Sequence, residues 1–489
     1  MASDAALPYL QAIVFLITVA ILAFSLSLRR RKRNLPPGPA GWPLIGCLLQ
    51  CGSQVPLKFH EWSRKYGNVM SLQLGSQLVI VLSSYDVIKE AFVKNSNIFS
   101  SRPKSYAVAR VTKEKGINTP WVKWKHTHKF ISKTFREFGL GKQIMAERVR
   151  TEGDILVEYI DSRSNTPINL KHVFANAVSN ITCSMLFGKR FDYEDPDFKL
   201  LLQMSNQNVV TMMQASVLTF FPFLWYLPTQ VKRNFITAQS ELVSYMKQKI
   251  IERREQFTGE EPENIIDAFF LEDKEAEWDD DKIIELVHTV KGIFIAGTDS
   301  TAATLLWAIL YLVLHQEIQD RCYSEIVKAI GYERHPEIAD RASLPYVDAT
   351  CLEVFRCSTV GPLGFPRSAS EDANLCGYHI PKDAIVMASV WSVHMDENRW
   401  YNPREFNPGR FLDDDGNVIN RKSIIPFGLG PRDCSGSDLA RMQIFVFITR
   451  LLQRFRFILP PDSPVPSMDG TFGMAHLPDQ YEVLALPRH

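Results

Sequence analysis

A chain of 489 residues, 46% hydrophobic and 22% charged, can bury a large core, and its length alone would admit two or three domains. Its 55 basic and 54 acidic residues nearly cancel, so no electrostatic footprint for nucleic acid is present. The 8 cysteines form no CxxC pair and no regular framework, which argues for reduced thiols in a cytosolic domain and against a disulfide scaffold.

The chain opens with a charge-free run from Pro8 to Leu28, rich in Ile, Leu, Val, Phe and Ala and long enough to cross a bilayer as a helix. Asp4 precedes it and Arg29-Arg-Arg-Lys-Arg33 follows, the reverse of a cleaved signal peptide. The positive-inside rule then puts the bulk of the chain in the cytosol. The expected organisation is a lumenal 1–7, a transmembrane anchor 8–28, a basic stop-transfer and proline-rich hinge 29–43, and one cytosolic domain 44–489.

Leu35 to Pro43 is too rich in Pro and Gly for helix or sheet and reads as a semi-rigid extended linker. His60–Gly67 reads as a helix end with a glycine stop, Val69–Leu74 and Leu78–Leu82 as a hairpin, and Asp86–Lys94 as helical again. Asn95 to Val122 lacks apolar periodicity and is expected to be a long irregular segment. From Trp124 a helical pattern carries Lys125, Lys129 and Lys133 at every fourth position, with Arg136 one turn on. Residues 140–275 read as mostly helical, broken near Asp195-Pro196 and at Phe220–Pro228. The second break is apolar enough to suggest a surface loop dipping into a bilayer. The sequon Asn180-Ile-Thr182 has no meaning in a cytosolic domain.

Acids from Glu275 to Asp281 suit a helix start, and an apolar-rich pattern then runs from Ile283 to about Leu314, long enough to cross the whole domain. In its middle, Ala296-Gly297-Thr298-Asp299-Ser300-Thr301 offers small residues that leave room for a flat ligand, and alcohols that can bond back to the helix. Cys376–Lys382 and Ala384–Val393 read as strands of a small sheet, and Met468–Met474 as a hairpin tip. Glu353 and Arg356 share a helix face, enough for a local ion pair. The most chemically specific stretch is Phe427-Gly-Leu-Gly430-Pro-Arg432-Asp-Cys434-Ser-Gly436. Glycines let backbone approach a thiolate, a following helix points its positive end at it, and Arg432 offers a cation to a ligand carboxylate.

Phe427, Gly430, Arg432, Cys434 and Gly436 fill Phe-x-x-Gly-x-Arg-x-Cys-x-Gly, and the chain thereby resembles the cytochrome P450 family. The resemblance runs from the anchor to the C-terminal hairpin. Phe406–Asp413 and Leu439–Phe457 look most like the animal microsomal family-2 and steroid-17-hydroxylase group. It implies a mainly α, single-domain haem-thiolate fold with a small β region, plus the N-terminal transmembrane helix.

The resemblance also assigns roles. Cys434 would be the axial thiolate of haem b; Trp124, His128, Arg367 and Arg432 would reach its propionates, with Phe427 and Gly436 shaping the cysteine loop. His128 stands where the family has Arg. Asp299 and Ser300 would relay protons to dioxygen, Ser300 replacing the usual Thr. Glu353, Arg356 and Arg410 would form a structural network. Ile293, Phe294, Ala296, Leu363, Phe472 and Met474 would line the pocket, and residues 95–122 part of its roof.

The implied activity is insertion of one oxygen atom from O2 into a lipophilic molecule such as a fatty acid, steroid or xenobiotic. Electrons would come from an NADPH–cytochrome reductase docking on the basic face, with cytochrome b5 as an optional second donor. Membrane lipid would surround the anchor at the endoplasmic reticulum. Two other readings stay open on residues alone: a reductase-independent isomerase that rearranges peroxides, and a non-catalytic haem-binding membrane protein.

Overall fold

The computed structural model describes residues 34–104, 106–116, 119, 121–138, 143–259, 261–272 and 279–488, with a few helical positions between Gln11 and Leu22. Most of the expected anchor, the basic cluster 29–33 and the acids 275–278 lie outside the described residues. The longer helices are α1 Val55–Tyr66, α2 Trp121–Phe138, α3 Gln143–Asp161, α4 Leu170–Phe187, α5 Pro196–Gln214, α6 Gln230–Gln256, α7 Ile265–Glu272, α8 Asp280–Leu314, α9 Gln316–Ile330, α10 Pro345–Ser358 and α11 Ser437–Arg454. The strands are short: β1 Val69–Leu74, β2 Gln77–Leu82, β3 Arg367–Ser368, β4 Ala373–Leu375, β5 Tyr378–Ile380, β6 Ile385–Ala388, β7 Phe455–Ile458, β8 Thr471–Phe472, β9 His476–Leu477 and β10 Leu484–Pro487.

Helix α8 is the axis of the fold. Asp279 starts it, its carboxylate accepting from the Lys282 N–H at 2.9 Å. From Leu305 to Leu310 every side chain is buried, so the helix is covered on all sides here. Asp280–Leu314 is apolar and long enough to span a membrane, but 67% of its most apolar window is buried in protein, which makes it a core helix. Helices α4, α6, α10 and α11 pack around it, and their buried residues form one continuous core.

The main sheet runs β1-β2-β6-β3. β1 and β2 pair antiparallel with Leu74 opposite Gln77, β6 lies parallel to β2, and β3 closes the sheet antiparallel to β6. Several sequence expectations change in detail. The Pro-rich segment does not stand free: Ser71 donates from N to Pro37 O at 2.9 Å and from Oγ to Pro36 O at 2.5 Å, pinning it to β1. Gly38 makes that contact feasible, since a Cβ there would sit 1.7 Å from Ser71 O.

Residues 95–122 hold two short helices, Ser96–Phe99 and Tyr106–Thr112, and α2 already begins at Trp121. Asp86–Lys94 is a short α-helix, Tyr85–Lys89, followed by a π turn over Glu90–Lys94. The strand expected to run to Val393 stops at Ala388, because the Ser389 side chain caps a new helix, Val390–His394. Cys376 sits in the β4–β5 turn with Gly377, both at positive φ. Asn180 is buried and bonded to Phe191, so its sequon is inaccessible in the fold.

Candidate active site

Cys434 is presented by a loop that glycine makes possible. Gly428 and Gly430 have φ near +80° and +79°, and the Cys434 N–H closes the loop on Phe427 O at 2.9 Å. A side chain on Gly430 would meet Phe92 O at 1.9 Å, so only glycine fits. Phe427 packs edge-on against Phe355 with the Arg441 guanidinium 4.7 Å over its ring. Gly436 is the N-cap of α11 and its N–H faces the sulfur.

One expectation is corrected here. Helix and glycine N–H groups were expected to lower the thiol pKa, but burial pushes it up; Asp433 and Asp438 add to the rise and only the Gly436 N–H opposes it. The side chain is accessible, yet protein surrounds the sulfur closely enough for desolvation to dominate. A thiolate at this site needs the charge of a bound metal, which deprotonates a coordinating thiol outright.

Three arginines converge beside this loop. Arg367 donates to Leu429 O at 2.7 Å and lies 3.8 Å over the Phe92 ring. Arg432 donates to Ser100 O at 2.9 Å and Thr119 O at 2.8 Å, with its guanidinium 4.2 Å over Trp124. Arg102, which the sequence did not single out, donates to Pro366 O at 2.8 Å. Burial pushes Arg432 down to about 8, Arg367 to about 9 and Arg102 to about 10, with mutual repulsion adding at Arg432 and Arg367. None of the three makes an ion pair among the described residues. Arg367 Nη1, Arg432 Nη1 and Arg102 Nε are buried without a hydrogen-bond partner. Clustered buried guanidiniums with orphan nitrogens fit a ligand bearing carboxylates, which suits the two propionates of haem.

The His128 ring lies tilted with its centroid 4.2 Å from that of Trp124, its Nδ1 3.0 Å from Ser132 Oγ. Burial, then Arg432, lower its pKa, so it sits beside the cluster as a neutral ring.

On α8, Ala296 and Ser300 are exposed and Ile293 partly so, making one open face, whereas Phe294 has no exposure and packs in the core. Gly297 also differs from expectation. A Cβ there would lie 2.9 Å from Thr182 Oγ1, so its smallness serves the close approach of α4 and not the room above a ligand. Ser300 Oγ donates to Ala296 O and Thr298 Oγ1 to Phe294 O, each at 2.9 Å, without interrupting the helix. Burial raises the Asp299 carboxyl to about 6.

The Glu353 network assembles as expected. Arg356 meets both carboxylate oxygens of Glu353 at 2.7 Å, both side chains being wholly buried, and donates to His394 O and Pro403 O. Arg410 Nε reaches Glu353 Oε1 at 3.2 Å, and the Asn407 N–H reaches the same oxygen at 2.9 Å. His394, missed in the sequence, bonds Thr359 Oγ1 at 2.9 Å and accepts from the Ile425 N–H at 2.9 Å, tying the end of α10 to the root of the cysteine loop. Leu363 packs partly buried against the β1–β2 layer. Phe472 and Met474 flank the β8–β9 turn, and Met213 of α5 contacts Met474 N.

A mainly helical fold with a glycine-caged cysteine at a helix start and an adjoining cation cluster defines a haem-thiolate protein. The cytochrome P450 family model matches residues 36–485, and the chain belongs to the cytochrome P450 family. It is 35% identical over 512 residues to Cytochrome P450 2U1 of Bos taurus, covering 98% of this chain and 94% of that relative. It is 35% identical over 491 residues to Cytochrome P450 2H2 of Gallus gallus, covering 99% of each. Against Cytochrome P450 2J2 of Homo sapiens the identity is 33% over 481 residues, covering 96% of this chain and 95% of the relative. The protein is therefore a haem-thiolate monooxygenase with a cysteine thiolate as the axial ligand.

Proposed function

We propose that this monooxygenase holds haem b through Cys434, acts on a lipophilic small molecule at the endoplasmic reticulum membrane, and draws electrons from an NADPH–cytochrome reductase. The observation that carries the reading is the uncompensated trio Arg102, Arg367 and Arg432 beside the Cys434 loop, with three orphan nitrogens where a dicarboxylate would bind. Trp124 and His128 border that trio.

When bound, the haem supplies dioxygen activation and insertion of one oxygen atom into a C–H or C=C bond. The chain's own residues orient and deliver protons. Asp299 holds its proton to about pH 6 because of burial. Ser300 Oγ, which now donates to Ala296 O, can rotate to pass a proton onward. Ile293, Ala296, Leu363, Phe472 and Met474 give the pocket an apolar lining that binds substrate and excludes water.

The exposed basic face of α2, with Lys125, Lys129, Lys133 and Arg136, suits an acidic redox partner, cytochrome b5 included. Membrane attachment is supported by the apolar run 8–28 with its five following cations. It is also supported by Phe223 at 63% and Tyr226 at 73% exposure in the break between α5 and α6, which suits a loop entering lipid.

The test is reconstitution of the full chain with reductase in vesicles, followed by a screen of fatty acids and steroids for product formed per NADPH consumed. Oxygenated product dependent on both NADPH and reductase is expected, with more peroxide per NADPH from Ser300→Ala. Product formed without either would overturn the electron-donor reading.

A further inference from the structure

His476 begins β9 with 1% exposure, enclosed by aromatic rings. Phe472 stacks on it at 4.2 Å, Trp307 lies at 4.7 Å and Trp391 meets it edge-on at 5.5 Å. Its Nδ1 is 2.6 Å from Ser358 O and its Nε2 is 2.9 Å from Asp469 O. Both partners are carbonyl oxygens, which only accept. A neutral imidazole has one N–H, so one of the two contacts would set a ring lone pair against a carbonyl lone pair; an imidazolium satisfies both.

Burial disfavours that cation, but part of the surroundings favours it. Aromatic faces attract it, and the charged groups acting on the ring are the carboxylates of Asp469 and Asp479 on its own C-terminal segment. Helix α8 presents Trp307, α10 presents the Ser358 carbonyl, and the helix Val390–His394 presents Trp391, none of which titrates. His394 from that helix is turned to Thr359 and Ile425 instead. Burial pulls the His476 pKa below its ordinary value while the two carbonyls and two carboxylates oppose it. The double-acceptor geometry favours the charged ring at the acid end of its titration.

The residue is also a junction of the backbone. Its N–H donates to Val360 O at 2.8 Å, and its carbonyl accepts from Trp307 Nε1 at 2.9 Å. Gly470, at φ +59°, lets the loop close over the ring, because a Cβ there would fall 2.9 Å from Nε2.

We propose that His476, carried as an imidazolium, is a positioning residue that pins the β8–β9 hairpin to the C-terminal end of α10 and to Trp307 in the C-terminal part of α8, and so fixes Phe472 and Met474 at the substrate pocket. This rests on the proposed reading of those two residues as pocket wall. As pH rises the ring loses one proton, one carbonyl bond becomes a repulsion, and the hairpin tip loosens.

The experiment uses the full-length holoenzyme in its reduced, carbon monoxide-bound state, labelled with 15N-histidine. Ring-nitrogen shifts and the rate of carbon monoxide rebinding after flash photolysis are both followed from about pH 4.5 to about pH 8. Expected are a doubly protonated His476 ring at the acid end, loss of one proton within the range, and rebinding about fivefold faster over the same step, the shift that one lost hydrogen bond produces. His476→Gln should rebind at the fast rate at every pH with an unchanged carbon monoxide spectrum. A singly protonated ring at the acid end, or one pH profile shared by wild type and variant, overturns the proposal. A doubly protonated ring with flat rebinding also overturns the positioning role, and locates the fault in the assignment of Phe472 and Met474 to the pocket.

Discussion

Replacing Glu353 by Gln removes one charge and leaves the shape nearly intact, which isolates the electrostatic role of the network. Glu353 accepts four hydrogen bonds: two from Arg356 at 2.7 Å, one from Arg410 at 3.2 Å and one from the Asn407 N–H at 2.9 Å. Gln keeps one acceptor oxygen and puts an N–H₂ where the other oxygen receives an arginine. Arg356 has no exposed side-chain surface, so water cannot take over. Removing one partner of a buried pair in this way costs about 3–5 kcal/mol, against the roughly 5–15 kcal/mol that holds a typical domain folded.

Arg356 also ties α10 to the carbonyls of His394 and Pro403, and His394 in turn holds the Ile425 N–H at the root of the cysteine loop. Haem retention should therefore fall together with stability. The assay is guanidinium unfolding of the holoenzyme followed by haem absorbance and far-UV circular dichroism, with Arg454→Gln as control. Arg454 pairs with Asp161 at 3.2 Å in a partly exposed setting, so the control should lose less than about 1 kcal/mol. A Glu353→Gln loss as small as the control's, with full haem content, would refute the argument that this buried charge is what holds the network.

Gly297→Ala should cost about 1–3 kcal/mol through its contact with Thr182, and adding Thr182→Ala should recover most of it. Thermal melts of both variants decide this, and an absence of rescue would show that the helix itself is the site of strain. Burial raises the Asp299 carboxyl from 3.8 to about 6, so the stability tied to its protonated form is whole below about pH 4 and lost as pH rises through 6. Asp299→Asn should then match the wild type near pH 4 and exceed its stability by about 1–3 kcal/mol at pH 7, while losing turnover. A variant less stable than wild type at pH 7 would mean that the ionised acid has a partner.

The cysteine loop was legible in the sequence because its requirements are local: glycines at positive φ, a helix starting three residues on, and an arginine within the same turn. The Glu353–Arg356 pair was legible for the same reason, being one turn of one helix. Arg102 was not, because it lies in a segment without periodicity and gains its meaning only when Arg367 and Arg432 arrive from residues far along the chain. The role of Gly297 was misjudged because a small residue reads alike whether it makes space for a ligand or for a neighbouring helix, and only the position of Thr182 separates the two. Phe294 is buried in the core while Ala296 and Ser300 are exposed, a difference hidden in the sequence because apolar residues recur along α8 without a clear period. The direction of the Cys434 pKa depended on how much protein surrounds the sulfur, a property of packing that no spacing encodes.

The central claim is ligation of haem iron by the Cys434 thiolate, and the most direct measurement is the difference spectrum of the reduced, carbon monoxide-treated full-length protein. A strongly red-shifted Soret band that disappears in Cys434→Ala is the predicted result. A haem-replete wild type showing the band of histidine or neutral-thiol ligation, or a Cys434→Ala variant retaining the thiolate band, would contradict it.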